Sequence, residues 1–479
     1  MAAMLAIGWY TSKKVKNSLD FINAGRSLGL PIATATLFAS WFCGGTILGA
    51  AGAAYEGGLS ATVADPFGAG VVLILAGLFV LRPMRRMGVS TVVTFYERRY
   101  NNAVGFFSSI AQMICYLGWL GAILVAFGFT MSMMTGLGTT VSIGLSALIV
   151  MVYTAAGGMW AVAITDFVQM IILVIGLLVM LPIVMKAIGG WSSMRASLPA
   201  EFFHLWPRGG NFEIWMAYVA MWLSLGLGCL PEQALVQRGT SAKNEKTAVW
   251  CGYLGGCLYL TIGLIPPILG MAAILLMPEV TDSEMVVLFL AREYLPTIGI
   301  VIFLSGMLAA LMSSADSAAL APASILGDNV LRYVRPGATD RQVLRTCQVM
   351  VPVFIIISGL VGMRVQAVYN LMVDAYTVLL VSLVVPLLGG LYWKKANSPG
   401  AAAAILSGLG VWAFFYVRPT PFSDLFTPDL LGLFTSLLFF VAVSLATQRS
   451  HPPKELVDMD GKPMSPRDML GIISPFGSR

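Results

Sequence analysis

The sequence predicts an all-α polytopic membrane protein with about thirteen transmembrane helices and a core of two five-helix repeats in inverted orientation. Three observations predict it. First, the 479 residues are 58% hydrophobic and only 11% charged, with a mean hydropathy of +0.83, whereas a soluble chain is about a quarter charged. Second, apolar runs of the roughly 20 residues needed to cross a bilayer recur along the chain. Third, two of these runs, five spans apart, are interrupted by glycine and proline.

Residues 1–11 are apolar but too short to span, and they lack the n-region and cleavage site of a signal peptide. The reading is a partial first helix over 1–12, whose beginning lies upstream. A basic loop with Lys13, Lys14, Lys16 and Arg26 follows. Spans are then expected at 30–55, 62–82, 103–135, 139–156 and 160–186. A longer polar segment with Trp191, His204 and Trp206 separates them from spans at 213–237, 247–277, 296–331, 343–362, 367–393, 399–417 and 428–447. The domains so drawn are a first repeat over 30–186, a second over 213–393, two accessory helices over 399–447 and a tail over 448–479.

The positive-inside rule tests the count. With loops numbered alternately and the 13–28 loop placed in the cytoplasm, 23 of the 29 basic residues fall inside. The outside keeps Lys186, Arg195, Arg208, Arg292, Arg364 and Arg418. One miscounted helix would erase that bias, so the N-terminus is expected outside and the C-terminus in the cytoplasm. The net charge of +6 therefore reflects membrane topology, and no nucleic-acid partner is implied. Cys43, Cys115, Cys229, Cys251, Cys257 and Cys347 show no paired metal-ligand spacing. They read as small packing residues.

The first interruption is Phe38-Ala39-Ser40-Trp41-Phe42-Cys43-Gly44-Gly45-Thr46. Glycine costs a helix interior roughly 1 kcal/mol relative to alanine. An opened backbone at membrane depth is tolerated only where it is buried in protein or lines a cavity. The second is Gly226-Leu227-Gly228-Cys229-Leu230-Pro231-Glu232-Gln233, where proline removes a backbone donor. An odd-numbered repeat enters the membrane upside down, so the two breaks face each other and mark a midplane site for an ion and a solute. In the span 296–331, Ala310, Ser313, Ser314 and Ser317 share one helix face. That stripe has two readings: close packing of small residues, or hydroxyl ligands for a hard cation.

Several short motifs together resemble the sodium:solute symporter family, and within it the high-affinity choline transporter branch. They are Ala24-Gly25-Arg26-Ser27-Leu28-Gly29, Tyr153-Thr154-x-x-Gly157-Gly158, Thr165-Asp166-x-x-Gln169, Gln233-x-x-x-Gln237-Arg238 and Met312-Ser313-Ser314-Ala315-Asp316-Ser317. The similarity runs from about Asn23 to Lys395. It implies a LeuT-type transporter core and sodium as the coupling ion. The family's main sodium site matches the carbonyls of Ala39, Phe42 and Ala310 and the hydroxyls of Ser313 and Ser314. Some members hold a second sodium at positions matching Asp166 and Ser317; from the sequence alone Asp166 reads equally as an acid at a helix N-terminus.

The choline branch surrounds a quaternary ammonium with aromatic rings. Trp41 and Trp119 keep two of those positions, whereas Ala69 stands where the branch has a tyrosine and Glu232 where it has a tryptophan. Without the resemblance, Trp41 reads as lipid-facing and Trp119 as core. Gly44 and Gly45 belong to the same solute region. Asp65 matches a gate position and otherwise reads as a cap near the outer surface. Asp374 lies beside a solute contact and otherwise reads as a buried hydrogen-bonding group. Ionisable groups inside a membrane are functional candidates by default.

The expectation is a multi-pass cell-membrane symporter that imports a small cationic or zwitterionic amine with sodium by alternating access. Its partners are the solute, sodium and lipid. The alternatives are a neutral or anionic solute (a sugar, amino acid or carboxylate) and a non-transporting sensor on the same fold. No enzyme is expected, because the H-E-x-x-H zinc motif and the P-loop are both missing from the sequence.

Overall fold

The protein is described by a computed structural model that covers residues 17–154, 158–207 and 209–472. The stub at 1–12 and part of the Tyr153–Gly158 marker lie outside the described residues. The membrane elements are α1 (Leu30–Trp41), α2 (Gly45–Gly57), α3 (Leu59–Phe79), α4 (Asn102–Thr135), α5 (Thr139–Thr154) and α6 (Gly158–Ala187). They continue with α7 (Phe212–Gly226), α8 (Gln233–Ser241), α9 (Glu245–Leu276), α10 (Thr297–Val334) and α11 (Asp340–Val365). The last are α12 (Tyr369–Ser382), α13 (Val384–Tyr392), α14 (Ser398–Val417) and α15 (Pro428–Ala446).

Among the described residues, eight helices are long and apolar enough to cross a bilayer. Two more crossings are bent pairs, α1 with α2 at 53° and α12 with α13 at 42°. The shorter α5 and α7 occupy the remaining expected positions. Short polar residues start many of these helices by accepting a backbone N–H from the first turn. Asn101 accepts from Val104, Asn244 from Thr247 and Asn397 from Gly400, at 2.9, 2.8 and 3.1 Å.

Besides 30–55, three expected spans are not continuous. The run at 62–82 begins at Leu59 and opens at Asp65, whose φ of −141° and ψ of 122° are extended. The run at 213–237 ends at Gly226 and resumes at Gln233. The run at 367–393 bends near Leu383, one turn before Pro386, whose ring has no room for a straight helix. Tyr96 donates to the Leu383 carbonyl at 2.9 Å and Tyr100 to that of Pro386 at 2.8 Å.

The middle of α10, from Ala310 to Ile325, is buried throughout, while Ile298 and Val301 at its start are exposed and apolar. Ile175 and Leu178 of α6 and Phe434 and Leu438 of α15 are exposed in the same way. An apolar outer surface around a polar-lined interior is the arrangement a bilayer requires.

One basic residue assigned to a loop is not in one. Arg238, expected in a loop, lies in α8 and is among the largest fully buried side chains. Each of its three guanidinium nitrogens donates a hydrogen bond inside the bundle.

The tail after α15 folds back under the core. Arg99 donates to the Lys454 carbonyl at 2.6 Å, Arg82 to that of Leu470 at 2.6 Å, and the Gly471 N–H to Leu78 at 2.7 Å.

Candidate ion and solute site

The first break lies at Phe42 and Cys43, just before the glycine pair. Phe42 has a ψ of 73°, and the Cys43 N–H turns to the Trp41 carbonyl at 2.8 Å. That N–H would otherwise serve Ala39, whose carbonyl instead accepts from the Ser314 hydroxyl of α10 at 3.3 Å. Gly44 itself is helical, with φ −52° and ψ −41°. Gly44 and Gly45 therefore do not make the break. They permit close approach: a Cβ on Gly44 would lie 2.3 Å from Ala126 Cβ, and one on Gly45 would lie 2.3 Å from Met372 Sδ.

The second break runs from Leu227 to Glu232. Gly228 has its backbone pressed on α12, where a Cβ would fall 2.7 Å from the Tyr376 carbonyl. Gln112 of α4 splints the opened chain. Its Nε2 donates to the Pro231 carbonyl at 2.6 Å, and its Oε1 accepts from the Gln233 N–H at 3.4 Å. Glu232, fully buried, stands at the start of α8.

Four aromatic rings from three elements converge on Glu232. Trp41 and Tyr376 have ring centres 6.4 Å apart, Trp119 and Tyr376 6.0 Å, and Tyr116 and Trp119 5.6 Å. The hydroxyls of Tyr116 and Tyr376 both donate to Glu232 Oε1 at 3.4 Å. The Tyr116 hydroxyl also accepts the Ala234 N–H at 2.7 Å, which fixes its orientation. Glu232 Oε2 and the Trp41 indole nitrogen, both buried, make no hydrogen bond among the described residues.

A second cluster sits around Asp166 of α6. Its carboxylate accepts from the hydroxyls of Thr36 and Ser313. Arg238 Nη2 lies 3.9 Å from Asp166 Oδ2 and donates to Ser317 Oγ at 2.5 Å. The rest of the guanidinium serves carbonyls: Nε reaches Thr36 at 3.0 Å and Nη1 reaches Ala234 at 3.1 Å. Arg238 thus lies between Asp166 and Ser317, the pair that the resemblance offers for a second sodium.

Asp65 is not at the outer surface. It is buried beside the first break, where Thr46 donates to Oδ2 at 2.8 Å and Tyr259 meets Thr46 at 2.6 Å. Ala69 is buried one turn farther along α3, and Ala310 precedes the two serines by one turn of α10. Asp374 does not join either cluster. It accepts from Tyr416 of α14 at 2.9 Å.

Tyr116, Tyr376, Gln112, Thr36 and Arg238 are site residues the sequence reading does not single out. Tyr116 had a signal, being three residues before Trp119 and so on the same helix face. Arg238 had one too, because it follows the second break by only six residues and sits within a quoted motif. Tyr376, inside an apolar helix, looks like core.

The chain is similar to known transporters over most of its length. Over 473 residues the chain is 28% identical to human high affinity choline transporter 1, covering 93% of this chain and 81% of that protein. Over 465 residues it is 26% identical to the osmoregulated proline transporter OpuE of Bacillus subtilis, covering 93% of each. Among solved structures, the substrate-bound outward-open state of a Na+-coupled sialic acid symporter superposes with a TM-score of 0.76 at 20% identity, covering 93% of this chain and 96% of that one. That likeness shows the fold, an inverted-repeat LeuT-type core. The sequence profile of the sodium:solute symporter family matches residues 21–408, and the chain belongs to that family.

Proposed function

We propose that this symporter imports a small amine that still carries N–H groups, with sodium as the coupling ion. The observation that carries the solute class is the pair of unmet atoms at Glu232. Four rings provide negative faces for a cation, and Glu232 Oε2 offers a bare acceptor that a quaternary ammonium has no N–H to use. The Trp41 indole N–H, also buried and without a partner among the described residues, adds a donor beside Glu232. Similarity to both a choline and a proline transporter supports this intermediate choice.

Sodium is held by the Ala39, Phe42 and Ala310 carbonyls and the Ser313 and Ser314 hydroxyls, pinning α1 to α10. The Ser314-to-Ala39 contact supports this assignment. The first repeat is 30–186 and the second 213–393, with accessory helices over 399–447 and a cytoplasmic tail. The chain sits in the cell membrane with its N-terminus outside, and works by alternating access without catalysing a reaction.

Uptake into proteoliposomes across amines, betaines, amino acids, sugars and carboxylates, with and without a sodium gradient, tests the proposal. Glu232→Gln should weaken uptake of cationic solutes far more than of neutral ones; equal losses would make Glu232 structural. Ser313→Ala with Ser314→Ala should abolish sodium stimulation while the protein still reaches the membrane.

A further inference from the structure

Asp166 lies in the membrane interior with no access to water. A lone carboxylate there is expensive, and its charge must be met by something fixed or something bound. Here it is met by something fixed. Arg238 approaches to 3.9 Å and spends its remaining donors on Thr36, Ala234 and Ser317, so it is held from three sides. Asp166 in turn accepts the protons of two hydroxyls, Thr36 and Ser313.

The Ser313 proton matters most. A hydroxyl that has committed its proton to a carboxylate presents only lone pairs elsewhere, and lone pairs are what a sodium ion needs. The neighbouring Ser314 already reaches across to α1 at the Ala39 carbonyl. Ser317, the hydroxyl that the resemblance offers to a second sodium, accepts from Arg238 and donates to the Ser313 carbonyl at 3.0 Å. A second cation at Asp166 would share one carboxylate with a guanidinium already in contact.

We infer that Asp166 and Arg238 form a fixed counter-ion pair that aims the Ser313 hydroxyl at the ion site, and that Asp166 is a positioning residue and not a cation ligand. The inference rests on the sodium site proposed above and adds a count to it: one sodium per chain.

The test uses the full-length protein in detergent and sodium alone as the probe. Equilibrium dialysis with radioactive sodium gives the number bound, and intrinsic tryptophan fluorescence during a sodium chloride titration against potassium chloride gives the affinity and its steepness. Wild type should bind one sodium with a Hill coefficient of about 1. Asp166→Asn should still bind one, with affinity reduced about 10- to 100-fold, the usual cost of losing a partner that orients a metal ligand. The double variant Asp166→Asn with Arg238→Gln, which leaves no uncompensated charge, should recover much of that loss.

Two sodium ions in wild type falling to one in Asp166→Asn would overturn the inference, as would an Asp166→Asn affinity equal to wild type. If Asp166→Asn fails to fold, the wild-type count and the double variant still decide. Wild type that binds no sodium would instead sink the proposed function itself.

Discussion

The Tyr376 hydroxyl of α12 lies 3.4 Å from Glu232 Oε1, and Tyr116 of α4 meets the same oxygen at the same distance. Two donors on one oxygen leave the other for a ligand. Tyr376→Phe removes one of these donors and leaves Tyr116 alone to hold Oε1. Hydrogen bonds to charged groups contribute about 1.5–3 kcal/mol, and at this length the low end applies. Half-saturation for a primary amine should rise about tenfold, with little change in maximal rate. Preference among primary, secondary, tertiary and quaternary amines should flatten; a uniform loss across the series would contradict an orienting role.

The glycine pair gives a second prediction. Gly45→Ala pushes against the flexible thioether of Met372, so Met372→Ala should restore transport to it. Gly44→Ala meets the short side chain of Ala126 on α4, which has nowhere to bend. It should lower thermal stability in detergent and abolish uptake, and Met372→Ala should not rescue it. Rescue of both would mean that the two glycines serve backbone flexibility after all.

How much of this was legible in the sequence depends on what each residue type announces. Gly226, Gly228 and Pro231 announce a break because few other reasons put them together in an apolar run, and the structure has the break there. Gly44 and Gly45 announced one too, but it formed two residues earlier, at Phe42 and Cys43, and packing against Ala126 and Met372 explains the glycines. Arg238 was counted as a loop charge because topology rules see charge and not a partner 72 residues earlier in the chain. Asp65 was placed by its position in a span, yet the opening of α3 there carries it to Thr46. Tyr116 and Tyr376 are hydroxyls on apolar rings, and only assembled helices distinguish a site tyrosine from a core one.

Gln112 offers a third prediction. It ties α4 to the second break at Pro231 and to the start of α8 at Gln233. Gln112→Leu keeps the volume and leaves a carbonyl and an N–H unmet, each costing about 1–3 kcal/mol when buried. A lower melting temperature in detergent should accompany loss of uptake, while Gln112→Glu should retain the bond to Gln233 and lose only the one to Pro231. Wild-type stability in Gln112→Leu would show that the break holds itself open.

A fourth concerns pH at the end of α10. Glu97, in the short loop helix Val92–Arg99, accepts from Asn329 Nδ2 at 2.8 Å. Burial pushes its carboxyl up from 4.5 to about 7, opposed by the Asn329 hydrogen bond, with Asp328 adding to the rise and Arg98 opposing it. A raised acid favours the protonated form in the docked state, so that state is most stable in acid and loses stability as pH rises through about 7. Thermal stability of wild type should therefore fall more between pH 5 and pH 8 than that of Glu97→Gln, which has no charge to desolvate. Parallel slopes would remove Glu97 from the account.

The nine residues of α8 have a consequence of their own. Glu232 stands at one end, and Arg238 follows six residues later, about 9 Å along a rigid helix. The former faces the aromatic box and the latter grips Asp166, whose carboxylate holds Ser313. This short rod is a crank with a handle at each end. On the proposed function, a solute that draws Glu232 toward itself would shift the same rigid body that holds Asp166 and Ser313, joining cargo and driving ion through about a turn and a half of helix.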